Sequence, residues 1–141
     1  MSSLIKPPPK KVLFICRNNS GRSQMAEALL EHLYGDRYEA YSAGVDPQPI
    51  NPLTRKVLEE LGIDMFSRHS KSLKKWEDAE FDLVVSLCGG EDETCPVLLT
   101  GKLYIHQGFT DPRSFSGEPE EKIELFRKVR DEIKAWIVRE F

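Results

Sequence analysis

The sequence predicts an α/β fold built on a mostly parallel sheet, and two observations support this prediction. Short apolar runs rich in β-forming residues alternate along the chain with segments whose apolar residues recur at helical spacing. Strands that alternate with helices imply right-handed crossovers, which place the strands parallel to one another in one sheet. The length of 141 residues suits one domain with a single core, and the chain shows no repeat.

The first half of the chain contains two predicted strands, each followed by a predicted helix. Residues 11–16 form a short apolar strand, and after a polar loop a helix begins at Arg22. One face of this helix carries apolar side chains at i, i+3, i+4 and i+7, namely Ala26, Leu29, Leu30 and Leu33. Residues 38–42 form the second strand, and the second helix begins at Pro52 and ends at Gly62.

The second half contains a strong strand at residues 81–87, a short strand at residues 103–105, and a C-terminal helix. Arg130 alone interrupts the apolar stripe of that helix, which comprises Ile123, Phe126, Ile133 and Ile137. Ligands of parallel α/β sheets bind beyond the carboxyl ends of the strands. Cys16 lies at the end of the first strand and Cys88 just past the third, so we expect both at that edge.

Composition excludes several classes of protein. The net charge of −3 and the isoelectric point near 5.7 argue against a general nucleic-acid binder. No apolar run approaches the ~20 residues of a membrane span, and the start of the chain lacks a signal-peptide pattern. We therefore predict a flexible polar tail at residues 1–10, a domain at residues 11–141, and a monomer that contacts neither membrane nor nucleic acid.

The three cysteines indicate the cellular compartment. An odd number without an export signal points to the cytoplasm, where thiols are kept reduced. Because no close set of Cys and His side chains has metal-ligand spacing, we expect no metal site.

Residues 16–23, which we call the oxyanion loop, carry the strongest chemical signal. A loop between a strand and a helix N-terminus can turn its N–H groups inward as an anion-binding nest. Cys16 would be a nucleophile whose thiolate this positive field favours. Arg22, which five residues separate from Cys16, would grip two oxygens of a tetrahedral anion. The spacing of Cys16 and Arg22 alone would favour a merely buried cysteine and a solvated arginine, but the place of this segment between strand and helix favours the functional interpretation. The predicted loop residues are Arg17, Asn18, Asn19, Ser20, Gly21, Arg22 and Ser23.

The same segment resembles a known family. Val12-Leu-Phe-Ile-Cys16 followed by Asn19-Ser-Gly-Arg-Ser-Gln-Met-Ala-Glu27 is similar to the start of low-molecular-weight tyrosine phosphatases, above all to their arsenate reductase branch. The resemblance extends to Ser42-Ala-Gly44 and Leu61-Gly-Ile-Asp64. It implies a three-layer α/β/α domain whose four parallel strands have the order 2-1-3-4. Asn18 departs from the glycine that many relatives carry, and Asn tolerates the left-handed region.

Cys88 and Cys95 decide between the branches of the family. Two cysteines at this separation are, taken alone, more often unrelated than functionally paired. Gly89 and Gly90, however, predict a mobile segment between them. Thioredoxin-coupled arsenate reductases carry a Cys and a Cys-Pro at this spacing. The resemblance therefore implies reduction of arsenate through a disulfide relay of Cys16, Cys88 and Cys95, with thioredoxin as reductant, no tightly bound cofactor, and phosphate or sulfate as competing oxyanions.

Two further features depend on the resemblance. Asp111-Pro112 alone would be a turn, whereas the family places its general acid there.

Some relatives bind a monovalent cation with residues comparable to Asn19, Glu27 and Ser42 and an acid after a histidine. His69-Ser-Lys71-Ser72 lacks that acid, so we do not expect bound potassium. One hypothesis is that the ammonium group of Lys71 replaces the cation. The alternative is that Lys71 is an ordinary surface residue of a loop.

Two other functions stay open. A phosphatase acting on phosphotyrosine or small phosphomonoesters would need only Cys16, Arg22 and Asp111. A non-enzymatic oxyanion or redox sensor would bind the anion without turnover.

Overall fold

The computed structural model describes residues 7–89 and 101–141. Within these ranges four parallel strands form one sheet: β1 (Lys10–Cys16), β2 (Tyr38–Gly44), β3 (Phe81–Ser86) and β4 (Gly101–His106). The strand order β2-β1-β3-β4 confirms the predicted topology. Each strand was located from its apolar run, and β4 is three residues longer than predicted.

In the part of the chain that the structure describes, three α-helices connect or follow the strands: α1 (Arg22–Tyr34), α2 (Pro52–Glu59) and α3 (Pro119–Glu140). Asn51 caps α2 by accepting a hydrogen bond from the Leu53 N–H, and proline occupies its first turn. A capping box between Glu118 and Glu121 begins α3. Local capping chemistry therefore sets both helix starts.

The two faces of the sheet are covered differently. The three α-helices pack on one face, around a core that includes Phe14, Leu29, Leu58 and Ile133. On the other face, a 3-10 helix at Leu73–Trp76 covers Leu13, Ile15, Ala43, Phe81 and Val84. This 3-10 helix was absent from the sequence prediction because four residues give no periodic signal.

Arg130, the apparent interruption of the α3 stripe, is part of a helix contact. Only 8% of the residue is exposed. Its guanidinium donates to the Val57 carbonyl at 2.8 Å and to Glu60 Oε1 at 2.8 Å, so it joins α3 to the end of α2. A buried charge is tolerated here because it is hydrogen-bonded and paired.

Neighbouring strands bring the first and second cysteines to one edge of the sheet. Ile15 of β1 is in register with Ser86 of β3, and the Leu87 N–H donates to the Ile15 carbonyl at 2.8 Å. Cys16 and Cys88, the residues that follow Ile15 and Leu87, are therefore on adjacent chain segments at the carboxyl ends of the strands. In the ranges described, no helix is long and apolar enough to cross a membrane.

Candidate active site

The oxyanion loop connects β1 to α1, and its carbonyl groups face away from its interior. The Arg17 carbonyl accepts from the Asp46 N–H at 2.9 Å. The Asn18 carbonyl accepts from the Gln48 N–H at 3.0 Å and from Ser70 Oγ at 3.1 Å. The first two peptide groups of the loop are thus tied to the segments that follow β2 and precede the 3-10 helix.

The next two carbonyls are also bonded to surrounding structure. Gln24 Nε2 donates to the Asn19 carbonyl at 3.1 Å. The Ser20 carbonyl accepts from the Asn51 N–H at 3.1 Å and from Thr54 Oγ1 at 2.9 Å. In a trans peptide the N–H points opposite to the C=O, so the N–H groups of residues 18–21 are directed to the inner side of the loop. This is the arrangement of an anion-binding nest at a helix N-terminus.

Asn19 and Gly44 provide the backbone geometry that the loop requires. Asn19 has φ of 50°, the only positive φ of a non-glycine residue in the described chain, whereas Asn18 avoids this region. A Cβ on Gly44 would lie 2.8 Å from both the Arg17 carbonyl oxygen and the Asn19 nitrogen. The departure from glycine at Asn18 therefore introduces no left-handed strain, and the end of β2 must be glycine for the loop to pass over it.

Cys16 has a hydrogen-bond partner whose orientation can be derived. Cys16 Sγ lies 2.8 Å from Ser23 Oγ. The Lys71 backbone N–H, which can only donate, contacts Asn19 Oδ1 at 2.8 Å, so the other end of that amide, Nδ2, donates to Ser23 Oγ at 2.7 Å. Because Ser23 Oγ accepts from Asn19, its own hydrogen is available to donate to the sulfur.

Arg22 is held in the site by backbone carbonyls. The residue is 3% exposed, and its Nη1 donates to the Leu87 carbonyl at 3.3 Å and to the Phe109 carbonyl at 3.2 Å. Its Nη2 lies 3.6 Å from Asp111 Oδ2. The solvated-arginine alternative is therefore wrong, since the guanidinium is fixed among the loops after β1, β3 and β4.

Asp111 forms the predicted turn and also lies beside Arg22. Its side chain accepts from the Arg113 N–H at 3.0 Å and thereby caps a 3-10 helix at Pro112–Ser114. The same carboxylate approaches Arg22 and remains partly exposed, at 26% of its side chain. A turn geometry thus presents a carboxyl group at the edge of the oxyanion loop, where a general acid would have to lie.

Cys88 is buried beside the loop after β4, with 3% of the residue exposed. A Cβ on Gly89 would lie 2.6 Å from the Phe109 carbonyl oxygen, and a Cβ on Gly108 would lie 3.0 Å from that of Cys88. At Gly89, glycine therefore permits two backbone segments to approach closely, and the mobility of this segment stays a prediction. Cys95 and Gly90 lie outside the described residues.

A group of charged residues behind the loop was only partly foreseen. Glu27 on α1 accepts from Ser42 Oγ at 3.0 Å and pairs with Arg68 at 2.9 Å. Lys71 Nζ lies 3.6 Å from the same carboxylate. Arg68 was missed because its partner is 41 positions away and no local pattern marks it. Across residues 7–89 and 101–141, no three His, Cys, Asp or Glu side chains gather as a metal site.

Comparison with known proteins agrees with this geometry. An arsenate reductase from Halalkalibacterium halodurans is 41% identical over 124 residues, which are 88% of this chain and 89% of that protein. A solved arsenate reductase in the phosphate binding state has a TM-score of 0.76 and 30% identity, covering 92% of this chain and 95% of its own. A thioredoxin-dependent arsenate reductase from Corynebacterium glutamicum has a TM-score of 0.65 and 30% identity, over 99% of this chain and 67% of that one.

The family comparison covers almost the whole domain. The match begins at residue 11, next to the start of β1, and ends at residue 139, near the end of α3. It therefore includes the oxyanion loop, both strand ends with cysteines, and Asp111. The chain belongs to the low molecular weight phosphotyrosine protein phosphatase family.

Proposed function

We propose that this chain is a cytoplasmic, monomeric arsenate reductase that uses three cysteines and is regenerated by thioredoxin. The observation that carries the proposal is the placement of Cys16 and Cys88 on adjacent chain segments at the carboxyl ends of β1 and β3. A phosphatase needs only the first of these cysteines. The similarity to arsenate reductases in sequence and in fold supports the same choice.

The first step is nucleophilic attack on arsenic. The inward N–H groups of the oxyanion loop and the Arg22 guanidinium hold arsenate, and the Cys16 thiolate forms a bond to As(V). One hydroxyl group of arsenate leaves as water after the Asp111 carboxyl group donates a proton to it. The product is a covalent thio-arsenate on Cys16, still at the As(V) level.

The second step transfers the electrons. The Cys88 thiolate attacks Cys16 Sγ, and the electron pair of the S–As bond passes to arsenic, which becomes As(III) and leaves as arsenite. A Cys16–Cys88 disulfide remains. The two thiols have thereby supplied the two electrons of the reduction.

The third step returns Cys16 to its thiolate form. Cys95 attacks Cys88 Sγ and forms a Cys88–Cys95 disulfide, which the dithiol of thioredoxin then reduces. Cys88 is 3% exposed, so its sulfur must come out of the core before an external protein can reach it. A thioredoxin-dependent relative of similar fold supports this choice of reductant.

The experiment is arsenate-dependent NADPH oxidation in the presence of thioredoxin and thioredoxin reductase. The parent protein should turn over repeatedly, whereas Cys16→Ser, Cys88→Ser and Cys95→Ser should not. Mass mapping of the trapped variants should find Cys16–Cys88 in Cys95→Ser. Repeated turnover by Cys88→Ser would overturn the relay.

A phosphatase activity is the second candidate, because Cys16, Arg22 and Asp111 also suffice for hydrolysis of a phosphomonoester. It predicts hydrolysis of a phosphotyrosine analogue that survives loss of Cys88 and Cys95. Binding of arsenate without turnover under any reductant would instead indicate a sensor.

A further inference from the structure

The site contains a buried carboxylate that needs a positive charge close by. Glu27 is 7% exposed, and a carboxylate removed from water is costly unless it is paired and hydrogen-bonded. Its Oε2 pairs with Arg68 Nη1 at 2.9 Å, but Arg68 also bonds Glu31, at 3.3 Å. One guanidinium is thus shared between two carboxylates, which leaves a negative charge to be balanced at Glu27 Oε1.

Lys71 provides that balance from an environment of oxygen atoms. Its side chain is 9% exposed, and Nζ donates to the His69 carbonyl at 3.0 Å and lies 3.6 Å from Glu27 Oε1. Ser42 Oγ donates to the same Oε1 at 3.0 Å. Carbonyl and carboxylate oxygens in this arrangement are also what a free monovalent cation would seek.

The residues therefore do not fit the monovalent cation that some relatives bind. All three of the comparable residues, Asn19, Glu27 and Ser42, are present, but the acidic residue is missing and the ammonium group of Lys71 already lies against Glu27. A free cation there would meet a like charge. Burial lowers the pKa of Lys71, and Glu27 opposes that effect, while Lys75 and Arg68 add to it.

We propose that Lys71 is a positioning residue that supplies, as part of the chain, the cation that Glu27 requires, so that this site takes no free monovalent cation. Hydrogen bonds of its backbone hold Lys71 against the oxyanion loop. Its N–H donates to Asn19 Oδ1 at 2.8 Å, and its carbonyl accepts from the Gly44 N–H at 2.9 Å. Hydrogen bonds through Asn19 and Ser23 connect the Lys71 backbone to Cys16 Sγ, so the position of Lys71 affects the surroundings of that sulfur.

The test compares Lys71→Ala with Lys74→Ala, an exposed lysine three residues later. Thermal unfolding is measured in KCl, NH₄Cl and tetramethylammonium chloride at equal ionic strength, together with the rate of Cys16 alkylation by iodoacetamide. The parent and Lys74→Ala should be indifferent to the cation. Lys71→Ala should melt several degrees lower and react several-fold more slowly in tetramethylammonium, with recovery in K⁺ or NH₄⁺.

A double variant removes the demand for the cation. Glu27→Gln with Lys71→Ala should lose the cation dependence of Lys71→Ala. Dependence of the parent on K⁺, or cation-independent behaviour of a folded Lys71→Ala, would overturn the proposal. If Lys71→Ala does not fold, the response of the parent protein to K⁺ still tests the proposal. The alkylation and unfolding readouts use no arsenate, so their outcome is distinguishable from failure of the proposed reductase function.

Discussion

Ser23 shows how one hydroxyl can orient the chemistry of the Cys16 thiol. Ser23 lies in the first turn of the helix that follows the strand ending at Cys16, so its hydroxyl can reach the sulfur. The donor direction depends on Asn19 and on the backbone of Lys71, which is 52 positions beyond Asn19. Only the folded chain brings these groups together.

We expect Ser23→Ala to slow alkylation of Cys16 at neutral pH by about 10-fold, the equivalent of losing one hydrogen bond to a charged group. The reaction with iodoacetamide, followed by mass spectrometry of the Cys16 peptide, measures this directly. Ser116→Ala, in an exposed loop, is the control. An unchanged rate in Ser23→Ala would show that Ser23 does not stabilise the thiolate.

Gly44 is a second residue whose role is purely geometric. Gly44→Ala would place a methyl group 2.8 Å from two backbone atoms of the oxyanion loop. Because backbone cannot move as a flexible side chain can, we expect the loop to shift and phosphate affinity to fall by at least 10-fold. Calorimetric titration with phosphate measures the loss, and cooperative thermal unfolding verifies that the variant is folded. Parent-like affinity would mean that the loop tolerates displacement.

At the scale of elements, the sequence predicted what local patterns encode. Strand and helix positions followed from apolar periodicity, and the start of α2 followed from Pro52. The 3-10 helix at Leu73–Trp76 was missed, although Trp76 covers much of the second face and donates to the Ser42 carbonyl at 3.1 Å. Arg130 interrupts the apolar stripe of α3 in the sequence, and its role could not be predicted because its partner, Glu60, lies at the end of α2.

Glu60 joins two helices through Arg127 and Arg130, and this contact should depend on pH. Hydrogen bonding from Arg127, above all, lowers the pKa of Glu60 below its ordinary value of 4.5. Its contribution is therefore fully present above pH 4.5 and is lost as the pH falls through the lower value of the folded state.

We expect Glu60→Gln to lower the free energy of unfolding at pH 7 by on the order of 1 kcal/mol, a modest effect because the side chain is 30% exposed. The difference from the parent should shrink at acidic pH. Urea unfolding at several pH values measures both, with Glu59→Gln as the exposed neighbouring control. A deficit that does not change with pH would exclude the ion pair as its cause.

At the scale of the whole molecule, the core and the oxyanion loop occupy different regions of one fold. Ile133 is fully buried in α3, whereas Val138 on the same helix is 52% exposed. Fold class and strand order could be predicted because the family motif and the alternation of elements agree. The hydrogen bonds and ion pairs behind the oxyanion loop could not be predicted, because they join segments that are distant in sequence.

We expect Ile133→Ala to lower the free energy of unfolding by about 2–5 kcal/mol through the cavity it leaves. Val138→Ala should change it by less than about 0.5 kcal/mol. Phosphate affinity of the folded fraction should stay within about twofold of the parent in both variants, because neither side chain is among those that hold the loop. Urea unfolding and phosphate titration measure the two quantities. A large loss of affinity in Ile133→Ala would mean that packing of α3 controls the loop.

The outward-facing carbonyls of the oxyanion loop have a consequence for protein engineering. Their partners come from residues 46–54, from Ser70 and from Gln24 on α1, so the shape of the loop is encoded mostly outside the loop. Transplanting residues 16–23 alone into another α/β scaffold should yield a reactive cysteine without anion affinity. A functional graft would have to carry the supporting segments as well.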